Sequence, residues 1–192
     1  MLKMKLTIVS LMCAFVLMTI ASNTLAAQSK TRKASTLSPV ARIASEVRHE
    51  LLMLPYYDVF DWIEGQVEEN GTVVLRGQVV RPTTKSDAEK RIEDIEGVER
   101  VENNIEVLPV SPNDNRLRVR LYRAIYNFNS PLFKYSTRAV PPIHIIVKNG
   151  RVWLKGVVAN EADKNLAYIK ARGVPGVFSV TNELVAESSR PR

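Results

Sequence analysis

Cysteine and histidine are nearly missing from this sequence. One cysteine and two histidines occur among 192 residues. One cysteine excludes an intramolecular disulfide scaffold and a cysteine-based zinc site, and two histidines leave little for a histidine metal cluster. Glycine and proline are also scarce, with 8 and 10 residues, whereas 45% of the chain is hydrophobic. This composition excludes collagen-like, low-complexity and disordered proteins.

Common catalytic motifs are also missing. The sequence has no G-x-G-x-x-G, Walker loop, H-E-x-x-H or G-x-S-x-G pattern. We expect His49 to be solvated on the polar side of a helix and His144 to be buried, hydrogen-bonded and neutral. The sequence therefore predicts no catalytic residue, no metal site and no cofactor, and we expect the protein not to be an enzyme.

Residues 1–27 have the pattern of a secretory signal peptide. Lys3 and Lys5 precede an uncharged stretch whose strongly apolar part is short for a membrane span. Small residues allow cleavage after Ala26 or Ala27. An uncleaved anchor is the alternative. The only cysteine lies in this segment without the small residues that a lipobox needs before it, so the sequence predicts a periplasmic protein that is not a lipoprotein.

The rest of the chain repeats one pattern at an offset of 79 residues. Asn-Gly recurs, Leu-Arg-Gly returns as Leu-Lys-Gly, and Gly-Val-x-x-Val-x-Asn follows each time. Six of the eight glycines form three pairs at this offset: Gly71/Gly150, Gly77/Gly156 and Gly97/Gly176. We expect a flexible leader over residues 28–39, units over 40–109 and 114–187, a linker over 110–113 and a frayed tail over 188–192.

Each unit has the pattern α-β-β-α-β. Hydrophobic periodicity and turn residues predict an α+β fold, in which a three-stranded mixed sheet is covered on one face by two helices. Apolar parity favours a G1 bulge at Gly71 and at Gly150. Gly77 and Gly156 are expected to let a helix approach the sheet closely. In the last helix we expect Ile169 to face the core.

The two units carry opposite charge. Residues 42–108 have 8 basic and 15 acidic side chains, and residues 113–187 have 12 basic and 5 acidic ones, so the net charges are −7 and +7. The units could attract each other. Alternatively, the second unit faces an anionic surface.

The densest basic cluster lies at the start of the second unit. At helical spacing Arg116, Arg120 and Arg123 share one face, and the opposite side carries an apolar row that ends at Phe128. The rings of Tyr122 and Tyr126 flank the boundary, as amphipathic side chains do at a membrane interface. This cluster is either a solvated helix face or the site that contacts an anionic lipid surface. The candidate lipid-binding residues are Arg116, Arg120, Arg123, Tyr122 and Tyr126.

The uncovered faces of the two sheets form a second candidate surface. Phe60 and Trp62 in the first unit, and Trp153 with Ile143 and Ile145 in the second, are too apolar for an open face in water. We expect both faces to be at least partly covered, by the other unit, by a partner protein or by lipid. The candidate partner-binding residues are Phe60, Trp62 and Trp153.

The repeated N-G-x-V-x-L-[RK]-G-x-V pattern, followed by G-V-x-x-V-x-N, resembles the BON domain. It spans residues 70–79 with 97–103, and 149–158 with 176–182. The resemblance implies exported bacterial proteins that are associated with phospholipid binding, osmotic-shock protection and envelope integrity, and it implies no catalytic residues. The irregular segment over residues 127–142 departs from the family pattern.

Together these features predict a non-enzymatic periplasmic protein that associates with anionic phospholipid membranes. The alternative is a protein–protein adaptor or chaperone-like envelope factor that binds through the open sheet faces. Nucleic acid is not an expected partner, because export argues against it and no strand combines basic with stacking aromatic residues. The sequence does not predict an oligomeric state.

Overall fold

The computed structural model describes residues 38–187. The predicted signal peptide and tail lie outside this range, as does nearly all of the leader. The first unit contains two helices and three strands. In chain order these are α1 (Pro39–Leu52), β1 (Trp62–Val67), β2 (Thr72–Val79), α2 (Pro82–Glu93) and β3 (Arg100–Val107).

The second unit repeats this order with an added 3-10 helix and a divided last strand. Its elements are α3 (Pro112–Ile125), the 3-10 helix η1 (Pro131–Tyr135), β4 (Ile143–Lys148), β5 (Arg151–Val158), α4 (Glu161–Arg172), β6 (Ser179–Asn182) and β7 (Val185–Ala186). Helix α4 is capped by Asn160, whose side chain accepts from the Asp163 amide at 2.8 Å. Between residues 38 and 187 no helix combines the length and apolar character needed to cross a bilayer.

Each unit forms its own mixed sheet, as predicted. In the first, β2 lies between antiparallel β1 and parallel β3. In the second, β5 lies between antiparallel β4 and the two short parallel strands β6 and β7. The last strand is divided because the chain leaves the ladder after Asn182 and returns at Val185, and between them Leu184 enters the core. The α+β architecture with two repeated units is therefore confirmed.

The two hairpins turn differently. In the first, Val67 pairs with Val73 and Gly71 has a φ of +80°, which agrees with the predicted bulged loop. In the second, Lys148 pairs with Arg151, so the turn contains only Asn149 and Gly150, both with positive φ.

A bulge at Gly150 was therefore the wrong prediction. An Asn-Gly pair fits the two-residue type I′ turn, whose twist matches that of the flanking strands. This turn moves the register of β4 by one residue relative to the prediction.

Gly77 and Gly156 are required for a different reason from the predicted one. All six paired glycines have positive φ. A β-carbon on Gly77 would lie 1.9 Å from the carbonyl oxygen of Trp62, and one on Gly156 would lie 2.0 Å from that of Pro142. The close contact is thus with the backbone leading into the neighbouring strand, not with a helix. Both hairpins need glycine at this point.

The register of β4 corrects the predicted sheet faces. Ile143 and Ile145 pair across from Gly156 and Leu154, and both are fully buried on the helix side of the sheet. The opposite face carries His144 and Ile146 in β4 and Trp153 in β5. Ile143 and Ile145 were therefore assigned to the wrong face, whereas Trp153 was assigned correctly.

Each unit has a hydrophobic core, and one residue of the first unit belongs to the core of the second. Val59 lies before β1, which begins at Trp62, and it does not belong to the core of its own unit. Val59 instead packs in the second core, with Phe60 against its edge. The Val59 carbonyl accepts a hydrogen bond from the Ile145 amide at 2.7 Å. The segment before β1 thus holds the two units together.

The irregular segment before β4 is ordered by buried contacts. Leu132 and Tyr135 of η1 belong to the second core. The Tyr135 hydroxyl donates to Asp163 Oδ2 at 2.7 Å and accepts from the Ala159 amide at 2.8 Å. Lys134 forms an ion pair with the same carboxylate at 2.7 Å. The segment therefore braces the start of α4.

Candidate functional site

The predicted arginine face is present on α3. Ser111 caps the helix and Pro112 starts it, which suits the fixed φ of proline. The helix buries one row of apolar side chains, namely Leu117, Leu121 and Ile125. This row turns Arg116, Arg120 and Arg123 towards solvent, where all three are exposed. Phe128 lies beyond the end of the helix and is exposed, so it does not continue the apolar row as expected.

Arg118 has a structural role that separates it from the other three arginines. It is buried and donates to the Val147 carbonyl at 2.7 Å. Burial lowers the pKa of its guanidinium, and the nearby carboxylates of Asp114 and Asp61 oppose that shift. This arginine ties α3 to β4.

The exposed arginines border a shallow groove between α3 and α4. The groove has a volume of about 670 Å³, and its lining includes Arg120, Arg123, Ile169, Lys170 and Pro175. Ile169 was predicted to face the core, but 64% of it is exposed. The reason is that α4 packs through Asp163, Ala167 and Ala171, a row of small or short residues at i, i+4 spacing that Ile169 does not share.

A second depression continues this groove towards the β4–β5 turn. It is lined by Arg116, Arg120 and Pro175 together with the turn residues Asn149 and Gly150. Arg120 and Pro175 belong to both depressions, so the two are continuous.

Phe178 lies at the turn end of this surface. Its amide donates to the Gly150 carbonyl at 2.8 Å, and 77% of the residue is exposed. The Arg151 guanidinium lies 5.7 Å from its ring centroid, within cation–π range. Sequence periodicity missed this residue because it lies in neither a helix nor a strand.

We call Arg116, Arg120, Arg123 and Lys170 the cationic face, and Ile169 and Phe178 its apolar rim. Among residues 38–187, none of the four basic side chains forms an ion pair. Arg116 donates to the Asn113 side chain, and Arg120 lies 3.5 Å from the Pro175 carbonyl oxygen. The face therefore keeps its positive charge without an ion-pair partner in this range, and its three arginines are exposed while Lys170 is partly buried.

The two candidate tyrosines differ in their environment. Tyr122 is 36% exposed and contacts the ring of Phe60 edge-on, with centroids 6.3 Å apart. Tyr126 is only 5% exposed, and its hydroxyl donates to the Ile143 carbonyl at 2.7 Å. Burial raises its pKa. Tyr126 is thus a core residue and is not available to a membrane surface.

The equivalent surface of the first unit has a different charge. The buried residues Ile43, Val47 and Leu51 of α1 match those of α3 in spacing. This alignment places Arg42, Glu46 and His49 where the second unit has its three exposed arginines. His49 is exposed, as predicted. The fold therefore presents the same helix face twice, and only the second copy is uniformly basic.

The candidate partner-binding aromatics lie between the two units. Phe60 and Trp62 are partly buried against the second unit, Phe60 on Tyr122 and Trp62 on His144 with ring centroids 5.0 Å apart. Trp153 is partly buried too, and it lines a narrow space with Gln78 of the first unit. The other unit covers much of both sheet faces, which is one of the three coverings expected from the sequence.

His144 is buried and hydrogen-bonded, as predicted. Its Nδ1 lies 2.6 Å from the Asp61 carbonyl oxygen. Because a carbonyl only accepts, Nδ1 carries the proton and Nε2 is the acceptor of the neutral ring. Burial lowers the pKa of this histidine from its usual 6.5 to about 4, so it is neutral at pH 7.

Asp61 is the second titratable residue of this junction. Its Oδ1 accepts from the Val80 amide at 2.7 Å, and the residue is 1% exposed. Burial raises the pKa of its carboxyl from 3.8 to about 6. Within residues 38–187 no group of three or more histidine, cysteine, aspartate or glutamate side chains could hold a metal ion.

Comparison with known families identifies the repeated unit. The family model of the BON domain matches residues 39–109 and 132–188, which together are more than half of the chain. The chain belongs to the BON-domain family. The first match contains all five elements of the first BON module, whereas the second begins at η1 and leaves α3 outside.

Solved structures add little to this assignment. Two structures of CdsD, a structural protein of the type III secretion system of Chlamydia trachomatis, are similar to the chain. The first, of the C-terminal domain, has 13% identity and a TM-score of 0.30, covering 78% of this chain and 99% of that one. The second has 14% identity and a TM-score of 0.29, covering 79% and 100%. No curated protein sequence matches the chain.

Proposed function

We propose that this BON-domain protein is a non-enzymatic periplasmic protein that associates with anionic phospholipid membranes and supports envelope integrity or tolerance of osmotic stress. The cationic face of the second module would contact the lipid headgroups. The single observation that carries the proposal is that Arg116, Arg120 and Arg123 are exposed and without an acidic partner in residues 38–187. The apolar rim beside them offers side chains for shallow insertion.

The magnitude of the attraction fits reversible binding. Each basic residue near an anionic leaflet contributes about 1 kcal/mol, so the three arginines contribute about 3 kcal/mol. That corresponds to roughly a 100-fold gain in partitioning. Attachment of useful strength therefore needs an apolar contribution as well, and the exposed side chains of Ile169 and Phe178 are in position to supply it.

Vesicle binding tests this proposal. The chain without residues 1–27 is mixed with vesicles of phosphatidylcholine alone or with added phosphatidylglycerol, at low and high salt. We expect binding to the anionic vesicles only, weakening as salt rises because the charges are exposed. Arg116→Glu, Arg120→Glu and Arg123→Glu together should lower binding by at least about 100-fold.

A control variant separates the position of the charges from their number. Arg76→Glu, Lys90→Glu and Arg100→Glu change the net charge equally, and all three residues are exposed in the first module. We expect this variant to keep most of the binding. Equal binding to neutral and anionic vesicles, or the same loss in both triple variants, would refute the assignment to the cationic face.

The adaptor alternative has less support. It depended on open sheet faces, and the side chains of Phe60, Trp62 and Trp153 are partly buried between the modules. These side chains are therefore no longer fully open to a partner protein. Periplasmic location rests on the predicted signal peptide, and export of a fusion of residues 1–27 to a reporter enzyme would test it.

A further inference from the structure

A cleft between the two BON modules has the properties of a small-molecule site. It has a volume of about 640 Å³, within the range of ligand pockets. Helix α1 and strand β1 form one wall, and the segment before β4 with the end of β5 forms the other. The lining includes Arg48, Leu52, Tyr57, Trp62, Arg138 and His144.

One wall of the cleft is aromatic. The His144 ring contacts both Tyr57 and Trp62, with centroid distances of 5.6 and 5.0 Å. Val157 and Leu52 extend the apolar lining, and Leu52 is 50% exposed. An exposed leucine beside clustered rings is unfavourable in water and becomes favourable when an apolar ligand covers it.

The charges around the cleft favour an anion. Arg48 of α1 and Arg138 of the segment before β4 are exposed, and neither forms an ion pair within residues 38–187. The acidic side chain in the lining is Glu64, whose Oε1 accepts from the Trp62 indole at 2.6 Å. His144 adds no positive charge at pH 7. The two guanidinium groups are therefore free to bind a carboxylate or phosphate.

We propose that this cleft binds one molecule of a single-chain amphiphile with an anionic head. The chain lies along Trp62, Tyr57 and Leu52, and the head meets Arg48 and Arg138. The cleft and the cationic face have no residue in common, so this site is separate from the proposed membrane contact. The segment before β4 supplies Arg138, so the site depends on that segment as well as on α1.

Titration with soluble amphiphiles tests the proposal. Dodecanoate is added below its micelle concentration to the chain lacking residues 1–27, and binding is followed by calorimetry. Fluorescence of a Trp153→Phe variant reports on Trp62 alone, since the chain has two tryptophans. We expect saturable binding with one site and a change in Trp62 emission. Dodecyltrimethylammonium and dodecanol should bind at least about tenfold more weakly, because they lack the anionic head.

A second anionic amphiphile shows which head groups the cleft recognises. If dodecyl phosphate binds as well as dodecanoate, the site recognises negative charge on a single chain in general. If only dodecanoate binds, the ligand class is a fatty-acid carboxylate. Binding that appears only above the micelle concentration, or equal binding of the cationic amphiphile, would overturn the proposal.

Matched variants locate the binding. Arg48→Glu with Arg138→Glu should weaken dodecanoate binding at least about tenfold. Arg76→Glu with Arg172→Glu, which alters net charge equally at exposed positions outside the cleft lining, should not.

A second pair of variants tests the apolar wall. Leu52→Asp should weaken binding, while Met53→Asp, at the neighbouring residue outside the lining, should leave it intact. The triple glutamate variant of the cationic face should bind dodecanoate normally even if it no longer binds vesicles. Loss of dodecanoate binding in that variant would contradict a separate site.

Discussion

His144 and Asp61 should make opposite contributions to the pH dependence of stability. Both are buried at the junction of the modules, joined by the hydrogen bond from the imidazole to the Asp61 main-chain carbonyl. Burial lowers the pKa of His144 to about 4 and raises that of Asp61 to about 6. In each case burial favours the neutral form.

The sign of each contribution depends on whether the folded or the unfolded state binds the proton more tightly. Unfolded His144 binds a proton near pH 6.5, whereas the folded residue resists protonation down to about pH 4, so stability is lost as pH falls through this window. Folded Asp61 takes up a proton near pH 6, well above its unfolded value of 3.8, so it contributes stability at low pH that is lost as pH rises through about 6.

The two contributions can be compared between pH 7 and pH 5. With these pKa values, His144 should lower the free energy of unfolding by about 2 kcal/mol over this range, and Asp61 should raise it by about 1 kcal/mol. The wild-type protein should therefore lose no more than about 1 kcal/mol from this pair. The buried carboxyl offsets much of the acid sensitivity that the buried imidazole creates.

Urea unfolding of the chain lacking residues 1–27, at pH 7 and pH 5, measures this balance. Asp61→Asn keeps an acceptor for the Val80 amide but cannot titrate, so it should lose about 2 kcal/mol at the lower pH. His144→Asn keeps a donor near the position of Nδ1, and it should gain about 1 kcal/mol. The reasoning fails if all three proteins show the same change between the two pH values.

Two further substitutions test contacts that set the second hairpin. Gly156→Ala places a β-carbon 2.0 Å from the Pro142 carbonyl oxygen, so it should lower the free energy of unfolding by at least about 3 kcal/mol. A urea midpoint close to the wild-type value would contradict the register of β4 and β5. Asp114 is buried and accepts from the Asn149 and Gly150 amides at 2.8 and 2.9 Å. Asp114→Ala should cost about 2–5 kcal/mol because two donors lose their partner, and faster hydrogen exchange at those two amides is the direct readout.

The candidate site was only partly predictable. The three exposed arginines follow from helical spacing, since the apolar row of α3 fixes their direction. Ile169, Lys170 and Phe178 complete the surface, but periodicity placed Ile169 in the core. The helix packs through alanines instead, and a row of alanines gives a weak hydrophobic signal. Phe178 lies outside regular structure, where no period applies.

What the sequence determined by itself is the repeated unit. Glycines at one offset, turn residues and the periods of apolar residues are local signals, and they predicted two α-β-β-α-β modules. The structure agrees because each module pairs its own strands and builds most of its own core. The Asn-Gly turn shows the limit of such signals. A shift of one residue in the register of β4 places His144 and Ile146, and not Ile143 and Ile145, on the sheet face opposite the helices.

Only the tertiary structure decided what lies between the modules. Val59 enters the core of the other module, Trp62 packs on His144, and Arg48 and Arg138 line one cleft. The pairs Val59–Ile145, Trp62–His144 and Arg48–Arg138 are 86, 82 and 90 positions apart in the chain. A side chain that is buried by the other module follows no periodic pattern in the sequence. Whether it is solvated or buried depends on how the two modules dock.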